Sequence, residues 1–177
     1  SYIMVLKGRE EKQFIEAYDK YSEAIFRHCY YRVFDREKAR DFVQETFCNT
    51  WKYIVEGHNI ENIRAFLYKT ANNLIIDESR KRKSLSLNEI MEKGFSLGTD
   101  PRKNNEDYLA AKEIIRIINS LDEQHKDVVV MKYIDGFSTK EIASITGQTE
   151  NNVYVKVHRG LQKVKEILKE YENREKI

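Results

Sequence analysis

What most constrains this chain is a helical repeat of apolar residues that runs almost from end to end and breaks only once. Phe14, Tyr18, Tyr21 and Ile25 recur at helical spacing, as do Ala39, Phe42, Val43, Phe47, Trp51 and Ile54. Each set therefore shares one face of a helix. Phe66, Leu67, Leu74 and Ile75 form a third inward stripe, and Asp35 and Asn62 stand where helix N-caps are wanted. Between residues 84 and 106 the pattern dissolves. Gly94, Gly98 and the sole proline, Pro101, fall there among polar residues, which predicts a linker with a short helical turn at 87–91. The repeat resumes with Leu109, Ile114, Ile115 and Ile118. Asp122 then caps a helix running through Val128, Val129, Met131 and Tyr133 to a stop at Gly136. The expected fold is all-α, with two small helical domains at 10–83 and 109–172 joined by a flexible linker at 84–108.

Composition narrows the function classes. With 41% hydrophobic and 34% charged residues the chain can bury cores and stay in solution. No apolar run reaches the roughly 20 residues that span a bilayer, and residues 1–8 show no secretory leader. A cytoplasmic protein without membrane insertion is expected. Cys29 and Cys48 form no disulfide framework and read as half-buried apolar fillers. His28, His58, His125 and His158 share no ligand spacing with Cys, Asp or Glu, so no metal site is expected. No phosphate loop or nucleophile motif appears. No cofactor and no catalysis by the chain itself are expected.

Net charge is only +2, but its distribution is uneven. Residues 63–84 hold six cations against two carboxylates, and residues 146–177 hold seven against five. Two basic zones on an otherwise acidic chain predict two places where phosphate docks.

The second zone contains a helix–turn–helix pattern. Ser138-Thr139-Lys140-Glu141 has the form of a capping box, Ile142, Ala143 and Ile145 make a short buried face, and Gly147 suits a left-handed helix stop. Thr149 caps a longer helix whose Val153, Val157, Leu161, Val164 and Leu168 form one stripe. Its polar first turn, with Asn151, Asn152 and Tyr154, suits base edges in a major groove, while Lys156, Arg159 and Lys163 suit phosphates. An ordinary helical hairpin with a solvated face would show the same spacing.

In the first half, Asp41, Gln44 and Glu45 share one helical face opposite Phe42, Val43 and Phe47. The next helix mixes Arg64, Phe66, Tyr68, Lys69, Asn72, Asn73 and Arg80-Lys81-Arg82-Lys83. Such a mixture suits single-stranded nucleic acid, where bases stack and phosphates need cations. The closing cations also complement the helix dipole.

Asp41-Phe42-Val43-Gln44-Glu45-Thr46-Phe47 with Trp51, and the run from Phe66 to Arg80, closely resemble the region-two signature of extracytoplasmic-function sigma factors. Tyr133-Ile134-Asp135-Gly136-Phe137-Ser138 and Val157-His158-Arg159-Gly160 resemble their region four. The resemblance covers nearly the whole chain outside the first residues and the linker. It implies a factor that binds core RNA polymerase and directs promoter recognition, melting and transcription initiation. Asp41, Gln44 and Glu45 fall where such factors grip the β′ clamp coiled coil. The loop 55–62, with His58, Asn59 and Asn62, falls where a flipped minus-ten base is captured. Arg64, Lys69, Asn73, Arg80, Lys81 and Arg82 would face the melted non-template strand. Thr149, Asn151, Asn152, Tyr154, Lys156, Arg159 and Lys163 would meet the duplex minus-thirty-five element, with docking on the β flap. Members of this group are commonly held by an anti-sigma factor, so such a partner is expected although no residue marks it. The chain departs from the family at Asn151-Asn152-Val153-Tyr154-Val155, where many members have a Gly-Thr-Val-Lys-Ser-like run, and at His58-Asn59, so base preference does not transfer. Two other readings compete: a stand-alone helix–turn–helix regulator acting without polymerase, and a protein-interaction module that retains the fold.

Overall fold

The computed structural model describes residues 2–85 and 106–175, and among them every regular element is helical. Three long helices come first: α1 (Tyr2–Val33), α2 (Arg36–Val55) and α3 (Ile63–Leu85). The expected linker and its helical turn lie for the most part outside the described residues. The chain resumes with α4 (Glu106–Ser120) and α5 (Glu123–Val129). A π-helical turn (Val130–Ile134), α6 (Thr139–Thr146) and α7 (Glu150–Glu175) follow.

Local chemistry sets the boundaries. Asp35 accepts from the Glu37 and Lys38 amides and starts α2, and the Asn62 side chain accepts from the Ala65 amide at 3.0 Å. Phe34 takes φ +64° between α1 and α2, a left-handed stop that a side chain adopts reluctantly. Its ring stacks on Tyr30 at 5.8 Å, which ties the turn to α1.

The apolar stripes then meet. Ile25 and Cys29 of α1, Ala39, Phe42, Val43 and Phe47 of α2, and Leu67, Ala71 and Ile75 of α3 are buried together. Phe14 packs on Phe47 and Trp51, with ring centres 6.1 and 5.0 Å apart. Each fully buried large aliphatic contributes roughly 1.5–3 kcal/mol, far more than the tenths of a kcal/mol that separate most helix propensities. Packing therefore holds these helices. Tyr18, expected inward, is 46% exposed although its ring touches Phe47.

In the second half Ile115, Ile117 and Ile118 are buried, but Ile114, expected inward, lies 47% exposed on the opposite side of α4. The single helix expected to run through Tyr133 changes pitch after Val129. The Asp135 amide donates to the Val130 carbonyl and the Phe137 amide to the Met131 carbonyl, both at 3.0 Å. This wider turn leaves Tyr133 exposed and buries Phe137. Gly160, on α7, faces Val129 so closely that a Cβ there would stand 2.7 Å from its Cγ2. The apolar stripe of α7 is buried at Val153 and Val157 and partly buried at Leu161 and Val164, and it runs out into solvent at Leu168.

The two halves also share one core. Val128, Met131, Phe137, Ile142 and Ile145 belong to the same buried cluster as the residues of α1–α3. At the boundary His28 Nδ1 lies 2.5 Å from Asp135 Oδ2, with both side chains nearly sealed from solvent. Arg32, also buried, donates to Asn72 Oδ1 at 2.7 Å and to Glu123 Oε2 at 3.4 Å.

Candidate polymerase and nucleic-acid interface

The α2 register decides what its outer face presents. Burial of Phe42, Val43, Thr46, Phe47 and Thr50 turns Asp41, Gln44 and Glu45 into solvent. Cys48 is exposed beside them, contrary to its reading as a filler, whereas Cys29 is buried. Burial pushes the Cys29 thiol up to about 12, so it is unreactive at neutral pH.

The loop after α2 is shaped by Gly57, at φ +89°, a conformation that suits glycine. The His58 ring then stacks on Tyr53 at 4.4 Å, and Tyr53 lies 4.8 Å from Phe66 of α3. His58, Asn59 and Asn62 are exposed. Between the loop and α3 a cavity of about 300 Å³ is lined by Tyr53, Asn59, Asn62, Phe66 and Lys69 and, on its far side, by Ser144 and Ile145 of α6. On the other side of the loop, toward α1, a larger groove of about 640 Å³ is lined in part by Arg9, Gln13, Lys20, His58 and Asn59.

Lys69 and Asn73 are exposed, one turn apart on α3. Arg80, Lys81 and Arg82 are exposed farther along, and Arg82 Nε pairs with Glu78 at 3.4 Å. Arg64 behaves differently. Its guanidinium sits 4.1 Å above the Phe137 ring and donates to the Asp135 carbonyl at 3.1 Å. In this conformation it is turned to the second half of the chain rather than to the loop.

The helix–turn–helix is capped as its sequence requires. Ser138 Oγ accepts from the Glu141 amide at 3.1 Å, Gly147 takes φ +67°, and Thr149 Oγ1 accepts from the Asn152 amide at 3.2 Å. The start of α7 consequently projects Asn151, Asn152 and Tyr154 into solvent, with His158 stacked beyond Tyr154. Of the three cations behind them, Arg159 is exposed. Lys156 donates to Gln148 Oε1 at 2.6 Å, and Lys163 pairs with Asp122 Oδ2 at 3.0 Å. A hydrogen bond from His125, seconded by Lys163, holds the Asp122 carboxyl down at about 2.

Sequence reasoning missed His28, Arg32 and Asp135. No local spacing links positions 107 residues apart. The available signal was a histidine and an arginine within an otherwise apolar stretch of α1, and an aspartate just before a glycine stop. Tyr68 joins this group: its hydroxyl is pushed well above the ordinary tyrosine range, chiefly by burial and then by the Asp135 charge.

Among the described residues no helix is long and apolar enough to cross a membrane. The Sigma-70 region 2 family matches residues 17–85, and Sigma-70, region 4 matches residues 111–164. The ECF RNA polymerase sigma factor SigL of Mycobacterium tuberculosis is 28% identical over 157 residues, covering 86% of this chain and 87% of that protein. The corresponding factor SigW of Bacillus subtilis is 26% identical over 178 residues, covering 95% of each. Among solved structures, the sigma factor RpoE in complex with the anti-sigma factor NepR from Bartonella quintana superposes with a TM-score of 0.73 at 19% identity, over 89% of this chain and 98% of that one. CnrH in complex with the cytosolic domain of CnrY superposes with a TM-score of 0.70 at 18% identity, over 93% and 96%. Both family regions fall, in order, on the two helical halves that carry the exposed α2 face, the loop beside α3 and the capped α6–α7 pair: the chain belongs to the extracytoplasmic-function group of RNA polymerase sigma factors, which bind core polymerase and promoter DNA.

Proposed function

We propose that each exposed surface has its own task in initiation. Asp41, Gln44 and Glu45 grip the β′ clamp coiled coil. The loop 55–62 and the outer face of α3 take the melted non-template strand of the minus-ten element. The start of α7 reads the duplex minus-thirty-five element while its surroundings dock on the β flap. The chain accordingly divides into a minus-ten unit at 10–83, a linker at 84–108 and a minus-thirty-five unit at 109–172. An anti-sigma partner would compete for these same faces.

One observation carries this reading: an amide, a cation and stacked aromatics converge at one loop. Lys69 stands at the cavity that Tyr53 and Phe66 line, and Asn73 lies one turn farther along α3. Flipping a base out of a duplex costs a few kcal/mol, which stacking and edge hydrogen bonds must return. An asparagine amide offers both donor and acceptor for that edge. Asn73→Ala should leave core binding and closed-complex formation intact but slow promoter opening, read by permanganate reactivity in the minus-ten region. A premelted template should recover part of the loss. Opening at the wild-type rate on duplex promoters would remove Asn73 from the capture site.

A further inference from the structure

We infer that the groove on the α1 side of the loop 55–62 is a second base site, which takes a nearby base of the same melted strand and favours one bearing an exocyclic amine. The inference rests on the capture-loop reading above. Asn59, Ile60 and Glu61 line both the smaller cavity and this groove, so the loop is a ridge with an opening on either side. His58 borders the groove but not the smaller cavity, and Tyr53 the smaller cavity but not the groove. Their rings, stacked at 4.4 Å, form the partition between the two. A strand crossing the ridge is therefore offered a place for a base on each side.

The groove suits a base rather than backbone phosphate. Its volume of about 640 Å³ exceeds the 300 Å³ of the smaller cavity. Phe14, Ala17, Tyr21 and Ile54 give it an apolar lining, and aromatic faces accept any base by stacking. Along the α1 wall Arg9, Gln13, Glu16 and Lys20 succeed one another at helical spacing, and all four are exposed. Against the two cations of that wall the groove sets three carboxylates, Glu10, Glu16 and Glu61. This excess of acid repels a phosphate chain, which the cations of α3 attract instead. A carboxylate accepts from the amine of adenine or cytosine, whereas thymine presents a carbonyl there and gives it nothing to accept. Glu16 is the acceptor for that amine. Gln13, one turn away, supplies both a donor and an acceptor for the rest of the base edge.

The test is an abasic scan of the non-template strand through the minus-ten element. It uses a premelted, fluorescein-labelled promoter selected from a randomised library and bound by the holoenzyme reconstituted with core polymerase. Two sensitive positions are expected. The loss of affinity at one should vanish in Lys69→Ala, and the loss at the other in Gln13→Ala. At the second position thymine should bind about tenfold more weakly than adenine or cytosine. Glu16→Gln should raise the thymine strand to the level of the others, because an amide both donates and accepts. A damaged fold cannot imitate that gain. A single sensitive position, coupled to Lys69 alone, would overturn the groove and leave the capture reading intact. A second position indifferent to both Gln13→Ala and Glu16→Gln would do the same. Sensitivity coupled to Gln13 with none coupled to Lys69 would instead remove the smaller cavity from base capture and keep the groove. A flat scan would overturn both.

Discussion

Asp122 shows how much one side chain can be asked to do. It caps α5 through the His125 amide at 3.1 Å, bonds the His125 ring at 2.5 Å and pairs with Lys163 of α7. These contacts favour its ionised form, so its folded-state pKa, about 2, lies below the ordinary value of 3.8. A carboxyl depressed in this way stabilises the fold above the unfolded-state pKa and loses that contribution as pH falls toward the folded-state value. Asparagine caps as well as aspartate but carries no charge. The melting midpoints of wild type and Asp122→Asn should therefore differ at neutral pH and converge as pH falls from about 4 to about 2. Parallel pH profiles for the two proteins would show that the charge contributes nothing to the fold. The cap itself was legible in the sequence, because an acidic residue before an apolar-periodic run has one local job. Its reach to Lys163 was not, because a partner 41 positions away is chosen by the angle between α5 and α7.

At the scale of elements, the contact between α5 and α7 depends on Gly160. The missing side chain lets the two helices approach until an added Cβ would stand 2.7 Å from Val129 Cγ2 and 3.5 Å from His125 Cβ. Replacing glycine by alanine inside a helix gains about 1 kcal/mol of propensity, whereas forcing a methyl into a packed contact costs about 1–3 kcal/mol. Val129 is buried and has little freedom to yield, so the second effect wins. Gly160→Ala should lower the thermal midpoint by several degrees, at about 2–4 °C per kcal/mol for a chain of this size. A midpoint raised by the substitution would mean that α5 can shift aside without loss. From sequence alone Gly160 was one residue of a family motif. Its function as a contact point required a second helix to lie against it. The π turn after Val129 was illegible for a related reason. The apolar pattern of residues 123–134 fits an ordinary helix, whereas the wider turn that forms carries Asp135 to His28 and Phe137 to Tyr68 of the other half.

For the whole molecule, charge and partition matter more than any single contact. The excess of cations in residues 63–84 and 146–177 predicts salt-sensitive DNA binding, with each phosphate contact adding about 0.9 to the slope of log affinity against log salt. Arg159, exposed behind the start of α7, should act in this way. Arg159→Ala should weaken binding to all promoter sequences alike and reduce that slope by about 1. Asn151→Ala or Asn152→Ala should instead change preference at one or two base pairs, by roughly 1–3 kcal/mol, in a randomised-site selection. If those variants select the wild-type sites, the start of α7 does not read bases. What the sequence determined by itself was everything that depends on neighbours along the chain. Helix periodicity, the caps at Asp35, Asn62, Asp122, Ser138 and Thr149, the stop at Gly147, and the faces carrying Gln44, Asn73 and Asn151 all follow from residues within a few turns of one another. The tertiary structure alone decided which buried polar groups meet, as His28 with Asp135 and Arg32 with Asn72. It also decided that Arg64 turns toward Phe137 instead of toward the loop, and that α6 stands across the cavity beside Lys69. Apolar burial is non-directional, so a stripe tells that a helix packs without telling against what. Hydrogen bonds and ion pairs are short and directional, so only the final placement of both partners selects them.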